Sequence, residues 1–144
     1  MIKKIEIKKN FDYENAFMLS APVERIGKLI TRFELFSKIK NIPGEIIECG
    51  VFKGSSLSQF VKFRALYGHS SSKKIIAFDT FGKFPEKCNP NDKKYLKSFM
   101  NQAGNQSIKK DELLKIFKKL GVDKNLDLIK GNILKTLPHF IKSN

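Results

Sequence analysis

The chain has 144 residues, enough for one domain with a real core but too few for a nucleotide-type α/β domain plus a second domain. Its 28 basic residues against 14 acidic ones give a formal net charge of +14. The N-terminus lacks the apolar core of a signal peptide, and no window reaches the roughly 18 apolar residues of a membrane span, so a cytoplasmic protein is expected.

Residues 1–15 alternate, with Ile2, Ile5, Ile7 and Phe11 among lysines and acids, and read as a short strand or an arm. A helix is predicted over residues 22–40, with Ser20 as N-cap and Pro22 in the first turn. Ile26, Leu29, Ile30, Phe33, Phe36 and Ile39 make its apolar face, and Arg25, Lys28, Arg32 and Lys38 mostly face away. The sequence Asn41-Ile42-Pro43-Gly44 stops it.

A strand over residues 45–49 follows, then Gly50-Val51-Phe52-Lys53-Gly54-Ser55-Ser56, then a helix over residues 55–67 with Leu57, Phe60, Val61 and Leu66 on one side. Gly68 closes that helix and 70–73 is a loop. Residues 74–78 form a second apolar run ending in Asp79. The long polar stretch 80–106, with a helical segment around 95–100, has the length of a lid or binding loop. Ser107 is read as the cap of a helix to about residue 120, in which Leu113, Leu114, Phe117 and Leu120 are apolar. A third strand covers residues 126–130, followed by Gly131-Asn132, and residues 136–138 open another helix.

Apolar runs alternating with helices argue for βαβ units and a parallel sheet. Right-handed crossovers place the second strand beside the first and the third beyond it. The first strand then lies at an open edge although it is strongly apolar, an aggregation hazard. The expectation is an unfinished fold whose missing strands pair with that edge, supplied by a longer chain or by a partner. Cys49, inside the apolar run, is expected to be buried as a small hydrophobe, and Cys88 lies in a polar stretch. With no CxxC pair or Cys/His cluster, no metal ligands are assigned. His69 and His139 are isolated and read as surface residues.

In doubly wound folds ligands bind beyond the C-terminal ends of the strands. Gly50 and Gly54 let backbone pass close to a ligand, and the amides of Gly54, Ser55 and Ser56 open a helix N-terminus toward a carboxylate. Glu48 can accept from an ammonium, and Asp79 from ribose hydroxyls. A dinucleotide fingerprint fails because Phe52 occupies its middle glycine position, and no Walker motif occurs. The plainer reading is that the glycines only permit a tight turn.

The stretch Ile47 to Ser56, preceded by Pro43-Gly44, resembles the first motif of class I S-adenosylmethionine-dependent methyltransferases, most closely the macrocin O-methyltransferase family, whose members methylate sugar hydroxyls. Ala77-Phe78-Asp79-Thr80-Phe81 through Phe84-Pro85 resembles its second motif, with Gly82-Lys83 in place of Glu-Gly. Lys130-Gly131 with Thr136-Leu137-Pro138 is similar to the stretch after the third strand, and Phe17-Met18-Leu19-Ser20 to a segment that folds over the cofactor.

The resemblance implies an α/β Rossmann-like parallel sheet with flanking helices, here the first three strands of a class I methyltransferase fold. Residues 1–21 would be an N-terminal arm and 22–144 the cofactor-binding part, with the C-terminal half missing. It implies that Glu48 and Gly50 lie by the methionine part of S-adenosylmethionine, with Val51 also cofactor-binding, and that Gly54, Ser55 and Ser56 form the helix N-terminus there. Asp79 would hold the ribose hydroxyls, with Thr80 also cofactor-binding, Gly131 and Asn132 would lie at the adenine, and Ser20 in the covering segment. The acids that assist proton removal and hold a divalent metal such as Mg would lie on fourth and fifth strands, in a full-length form only, so no catalytic residue is assigned.

The expected partner is a small-molecule acceptor, a sugar or nucleotide sugar, with a homo-oligomer or another partner completing the sheet. Two alternatives stand beside this: a non-catalytic, partner-dependent interaction module, and a basic RNA-binding protein or RNA methyltransferase. The last is ranked lowest. Only Arg25, Arg32 and Arg64 are arginines, the lysines are spread among Ile, Asn and Phe as compositional bias would spread them, and no aromatic RNA-stacking signature is present.

Overall fold

The computed structural model describes residues 5–69, 72–84 and 90–143. Ile2, Ser70, Ser71, Pro85 and Cys88 lie outside the described residues. A short 3-10 helix, Ile7–Lys9, leads into α1 (Asn10–Ser20) and α2 (Val23–Ile39). Then come β1 (Ile46–Cys49), α3 (Ser55–Leu66), β2 (Ile75–Asp79), a 3-10 turn Pro90–Asp92, α4 (Lys93–Ala103), α5 (Lys110–Lys119), β3 (Leu126–Lys130) and α6 (Ile133–Ser143).

The three strands form one sheet in the order β1-β2-β3, all parallel. Ile46 pairs with Ile75, and Ile75 in turn with Leu126. This is the order and direction that right-handed crossovers predict. Both crossovers step the same way, so α3 and α5 must fall on the same face of the sheet. That face holds the core: Ile46, Ile75, Ala77 and Leu128 from the strands meet Phe36 of α2, Leu57 and Val61 of α3, and Leu113 and Phe117 of α5. β2 is the central strand, and Ile75 through Phe78 are completely buried, which is why its sequence is an unbroken apolar run.

On the other face α6 packs over β2, its Phe140 ring edge-on to Phe78 with centroids 5.6 Å apart. This corrects the expectation for Cys49. Cys49 pairs in register with Phe78 and so points to the α6 face, but α6 packs over β2, and Cys49 is exposed. Ile47, on the same side of β1, is 49% exposed.

Four further expectations are corrected. Of residues 1–15, read as a short strand or an arm, 10–15 belong to the helix α1 and none of the described ones is strand; every residue of α1 is exposed, so no burial pattern marks it. Ser20 does not cap α2. It ends α1, and its hydroxyl donates to the Ala16 carbonyl at 2.5 Å. Ser107 does not cap α5, which begins at Lys110 without a side-chain cap. On α3 the buried positions are Leu57, Val61 and Arg64, while Leu66 is exposed.

Arg64 is fully buried yet meets only carbonyls: Lys73 O at 2.8 Å, Asn125 O at 2.7 Å, and Lys124 O. Buried Lys73 similarly donates to Ile42 O at 2.5 Å and Gly44 O at 3.2 Å. These loops lead into β1, β2 and β3, so two cations tie the N-terminal end of the sheet together.

Candidate functional site

The opposite end of the sheet carries the glycine turn. The Gly50 amide still donates to Phe78 O at 2.8 Å, as a continuation of the β1–β2 ladder. Beyond it the chain turns sharply: Gly50, Phe52 and Gly54 all have positive φ, 93°, 50° and 84°. Glycine at 54 is also required by packing, because a Cβ there would stand 3.1 Å from Leu113 Cδ1.

The turn is held by Asp79. Its Oδ2 accepts the amides of Val51 at 2.8 Å and Phe52 at 2.9 Å, and its Oδ1 accepts the amide of Phe81 at 2.7 Å. The Ser107 hydroxyl donates to the same carboxylate, and the Thr80 hydroxyl lies 3.4 Å from Oδ1. A carboxylate offers about four lone-pair positions, and these donors take them. Burial alone would raise the Asp79 pKa, but the bonds from Phe52, Ser107, Phe81 and Val51 together hold it below the usual value. Asp79 therefore joins three chain segments: the turn after β1, the turn after β2, and the approach to α5.

Glu48, the third residue of β1, lies beneath α3. Its Oε1 accepts the Ser56 hydroxyl, while its Oε2 is buried without a hydrogen-bond partner. Burial pushes its pKa up, against the opposing effects of the Ser56 bond and the Arg32 charge. A buried acceptor without a donor is costly and marks a place for one. Next to it, no side chain caps the N-terminus of α3, so the first amides, at Ser55 and Ser56, keep their donors for a ligand.

The turn borders a cleft of about 490 Å³ lined by Gly50, Val51, Ser55 and Ser56; Glu48 and Asp79 are not among its lining residues. Its other walls are Arg25, Lys28 and Arg32 of α2, Lys53, Phe17 of α1, and Gln102 of α4. α4 reaches the turn through an aromatic cluster, in which Phe99 lies 5.1 Å from Phe52 and 6.1 Å from Phe84 between ring centroids. A larger hollow of about 810 Å³, between residues 5–8 and α5, contains no residue from the strand C-termini.

Of the residues singled out in the sequence, Glu48, Gly50, Val51, Gly54, Ser55, Ser56, Asp79 and Thr80 come together at this end of the sheet. Gly131 joins them at the end of β3, its amide donating to Asp79 O at 2.9 Å. Asn132 caps α6, its Oδ1 accepting the Leu134 amide at 3.0 Å. Ser20 is not among the residues lining the cleft. Arg25, Lys28 and Arg32, which the sequence places away from the apolar face of α2, line this cleft, a position the sequence reading does not assign. Their spacing at 25, 28 and 32, one face of a helix, is the signal that could have found them. Among the described residues, no group of three or more His, Cys, Asp or Glu is placed to hold a metal ion.

Comparison with known proteins bears on the fold and the family. A search of curated protein sequences finds no significant match. Among solved structures, the chain is similar to the O-methyltransferase NovP, with 16% identity and a TM-score of 0.62 over 75% of this chain and 46% of NovP. It is similar to the calicheamicin methyltransferase CalS11, with 22% identity and a TM-score of 0.67 over 97% of this chain and 56% of CalS11. The apo structure of CalS11, described as a TDP-rhamnose 3'-O-methyltransferase, matches with 21% identity and a TM-score of 0.56 over 97% of this chain and 54% of that one. At these identities the likeness shows the fold, and the chain spans about half the length of the structures it matches. The sequence model of the macrocin-O-methyltransferase (TylF) family matches residues 20–144, and the chain belongs to that family.

Proposed function

We propose that the chain is the S-adenosylmethionine-binding part of an O-methyltransferase that acts on a sugar hydroxyl. One observation carries the reading: the buried, partnerless Oε2 of Glu48 lies beside the uncapped N-terminus of α3. An acceptor without a donor next to donors without an acceptor suits an amino-acid zwitterion. Glu48 would take the ammonium, and the Ser55 and Ser56 amides the carboxylate, with Gly50 and Val51 alongside. When bound, S-adenosylmethionine supplies an electrophilic methyl group.

Asp79 holds the turn in shape and, with Thr80, faces the ribose. Of its donors, the Ser107 hydroxyl is the one a ribose hydroxyl can replace, because the other short contacts are backbone amides. Gly131 and Asn132 lie at the adenine end. The acid-bearing strands that the family resemblance implies for proton removal, and for a divalent metal, have no counterpart among the described residues. The setting we propose is cytoplasmic; no described helix is long and apolar enough to cross a membrane.

Calorimetric titration of the chain with S-adenosylmethionine tests the reading: saturable binding is expected, and no heat up to millimolar cofactor would reject it. A second reading, an interaction module completed by a partner, is favoured by the open edge of β1, where Ile47 is half exposed. Folding that depends on protein concentration, without cofactor binding, would favour that reading.

A further inference from the structure

We infer that α1 docks into the hollow beside α5 of a second copy of this chain, so that two copies associate about a two-fold axis through residues 5–20 and α5. This does not rest on the methyltransferase reading above. One side of α1 is turned to its own chain: the Tyr13 hydroxyl accepts the Glu6 amide at 3.4 Å, and Phe17 lines the cleft. The other side has no cover. Phe11, Met18 and Leu19 are 71%, 59% and 89% exposed, against 41% for Phe17. Phe11 and Met18 lie about two turns apart on one side of the helix, and Leu19 adjoins Met18. Asp12 and Glu14 flank this apolar row, one on each side, and α1 holds no Lys or Arg although the chain carries a net charge of +14.

The hollow has the matching chemistry. It encloses about 810 Å³, and Ile5, Ile7 and Ile116 give it an apolar lining. Five lysines against three acids complete its wall. Lysine stems add apolar surface while their ammonium groups stay in water, where the two acids of an entering α1 would meet them. The chain's own α1 does not fill the hollow, since no residue of α1 lines it. Helix and hollow nevertheless share one surface, because the 3-10 helix Ile7–Lys9 runs from the wall of the hollow directly into α1. A two-fold dimer requires this arrangement, in which one patch carries both complements. The patch includes no residue of β1, so it is a different surface from the open sheet edge.

Sedimentation velocity of the full chain, from micromolar to millimolar protein, tests the inference, with circular dichroism to confirm that each variant stays folded. The parent chain should pass from monomer to dimer. Met18→Ser/Leu19→Ser, at exposed positions, should weaken the dimer at least about tenfold. Asp12→Lys/Glu14→Lys and, separately, Lys115→Glu/Lys118→Glu should do the same, since each sets like charges against one another across the contact. All four of these charged positions are exposed. The lysine pair is diagnostic, because its reversal lowers the net charge of +14 and would strengthen nonspecific association. The chain carrying all four reversals should recover most of the parent affinity.

A chain that stays monomeric throughout would overturn the proposal. So would a dimer that tolerates the α1 and α5 variants but is lost in Ile47→Lys, which would place the contact at the β1 edge. Failure of the fourfold reversal to recover association, with each pair folded, would reject the pairing of α1 with α5. Tight binding of dodecanoate to a monomeric parent chain, lost in Lys115→Glu/Lys118→Glu, would give the hollow to an anionic amphiphile and likewise overturn it.

Discussion

Replacing Asp79 with Asn changes one atom and should loosen the whole ligand end of the sheet. Asn keeps a single acceptor oxygen. If that oxygen takes the Oδ2 position, it keeps the Val51 and Phe52 amides, now at 2.8 and 2.9 Å from a neutral group. Its NH2 then faces the Phe81 amide, a donor against a donor, where 2.7 Å separated N and O before. The Ser107 hydroxyl can rotate to accept, but the Phe81 amide cannot, and Phe81 is buried. The opposite orientation strands two amides instead of one.

Losing charge assistance on two bonds costs about 2 kcal/mol, and stranding one buried amide about 1–3 kcal/mol. Because Asp79 is only half-buried, water and screening reduce the sum to roughly 2–4 kcal/mol. That is a large share of a stability of about 5–15 kcal/mol. It corresponds to a fall in Tm of roughly 5–15 °C. Urea denaturation followed by circular dichroism measures it.

The pH dependence supplies a second readout. The native pKa of Asp79 is lowered, so its contribution is complete above the unfolded value of about 4 and is lost as pH falls through the native value. The chain with Asp79 should lose stability on that acid limb, and Asp79→Asn should show a shallower one. An Asn variant within about 0.5 kcal/mol of the parent at pH 7, with the same acid limb, would refute the reasoning.

Arg64→Met should cost about 2–4 kcal/mol, because three carbonyls lose a buried donor while the packing volume is roughly kept; Arg64→Lys, with one point charge, should fall between, and urea titration of both variants checks it. Glu48→Gln should lower cofactor affinity by about tenfold in calorimetry. The same variant should be no less stable at pH 7. The raised native pKa of Glu48 means its favourable contribution is complete below the unfolded value and lost as pH rises through the native one, so the variant's stability should vary less with pH there. Gly54→Ala should cost about 1–2 kcal/mol in thermal melts, combining a positive φ with a methyl group 3.1 Å from Leu113.

Strand order was legible because parallel strands joined by right-handed crossovers have few arrangements, and the runs at 45–49, 74–78 and 126–130 were short and bounded. The glycine turn was legible from Gly50 and Gly54, and Asp79 from its place at the end of β2. The role of Asp79 toward Val51 and Phe52 was not legible, because it is a contact between segments 27 and 28 residues apart. Ser107 shows the same limit: local rules make a serine before a helix a cap, yet here its hydroxyl serves a carboxylate on another element. Arg64 occupies the step after Leu57 and Val61 on the buried face of α3, so a polarity pattern places it outside when the carbonyls of 73, 124 and 125 draw it in. Cys49 failed for a complementary reason. An apolar strand is buried on both faces only where helices cover both; α6 packs over β2, and Cys49 on β1 stays exposed.

The two ends of the sheet are fastened by groups of opposite acid response. At the N-terminal end the cross-links are the Arg64 and Lys73 side chains bonded to carbonyls, and no carboxylate takes part. At the C-terminal end the cross-link is a carboxylate. Acid should therefore undo the molecule from one end. Near the native pKa of Asp79, hydrogen exchange at the Val51, Phe52 and Phe81 amides should quicken while the Ile75 amide, bonded to Asn125 O, stays protected. The protein would lose its binding surface before it loses its sheet.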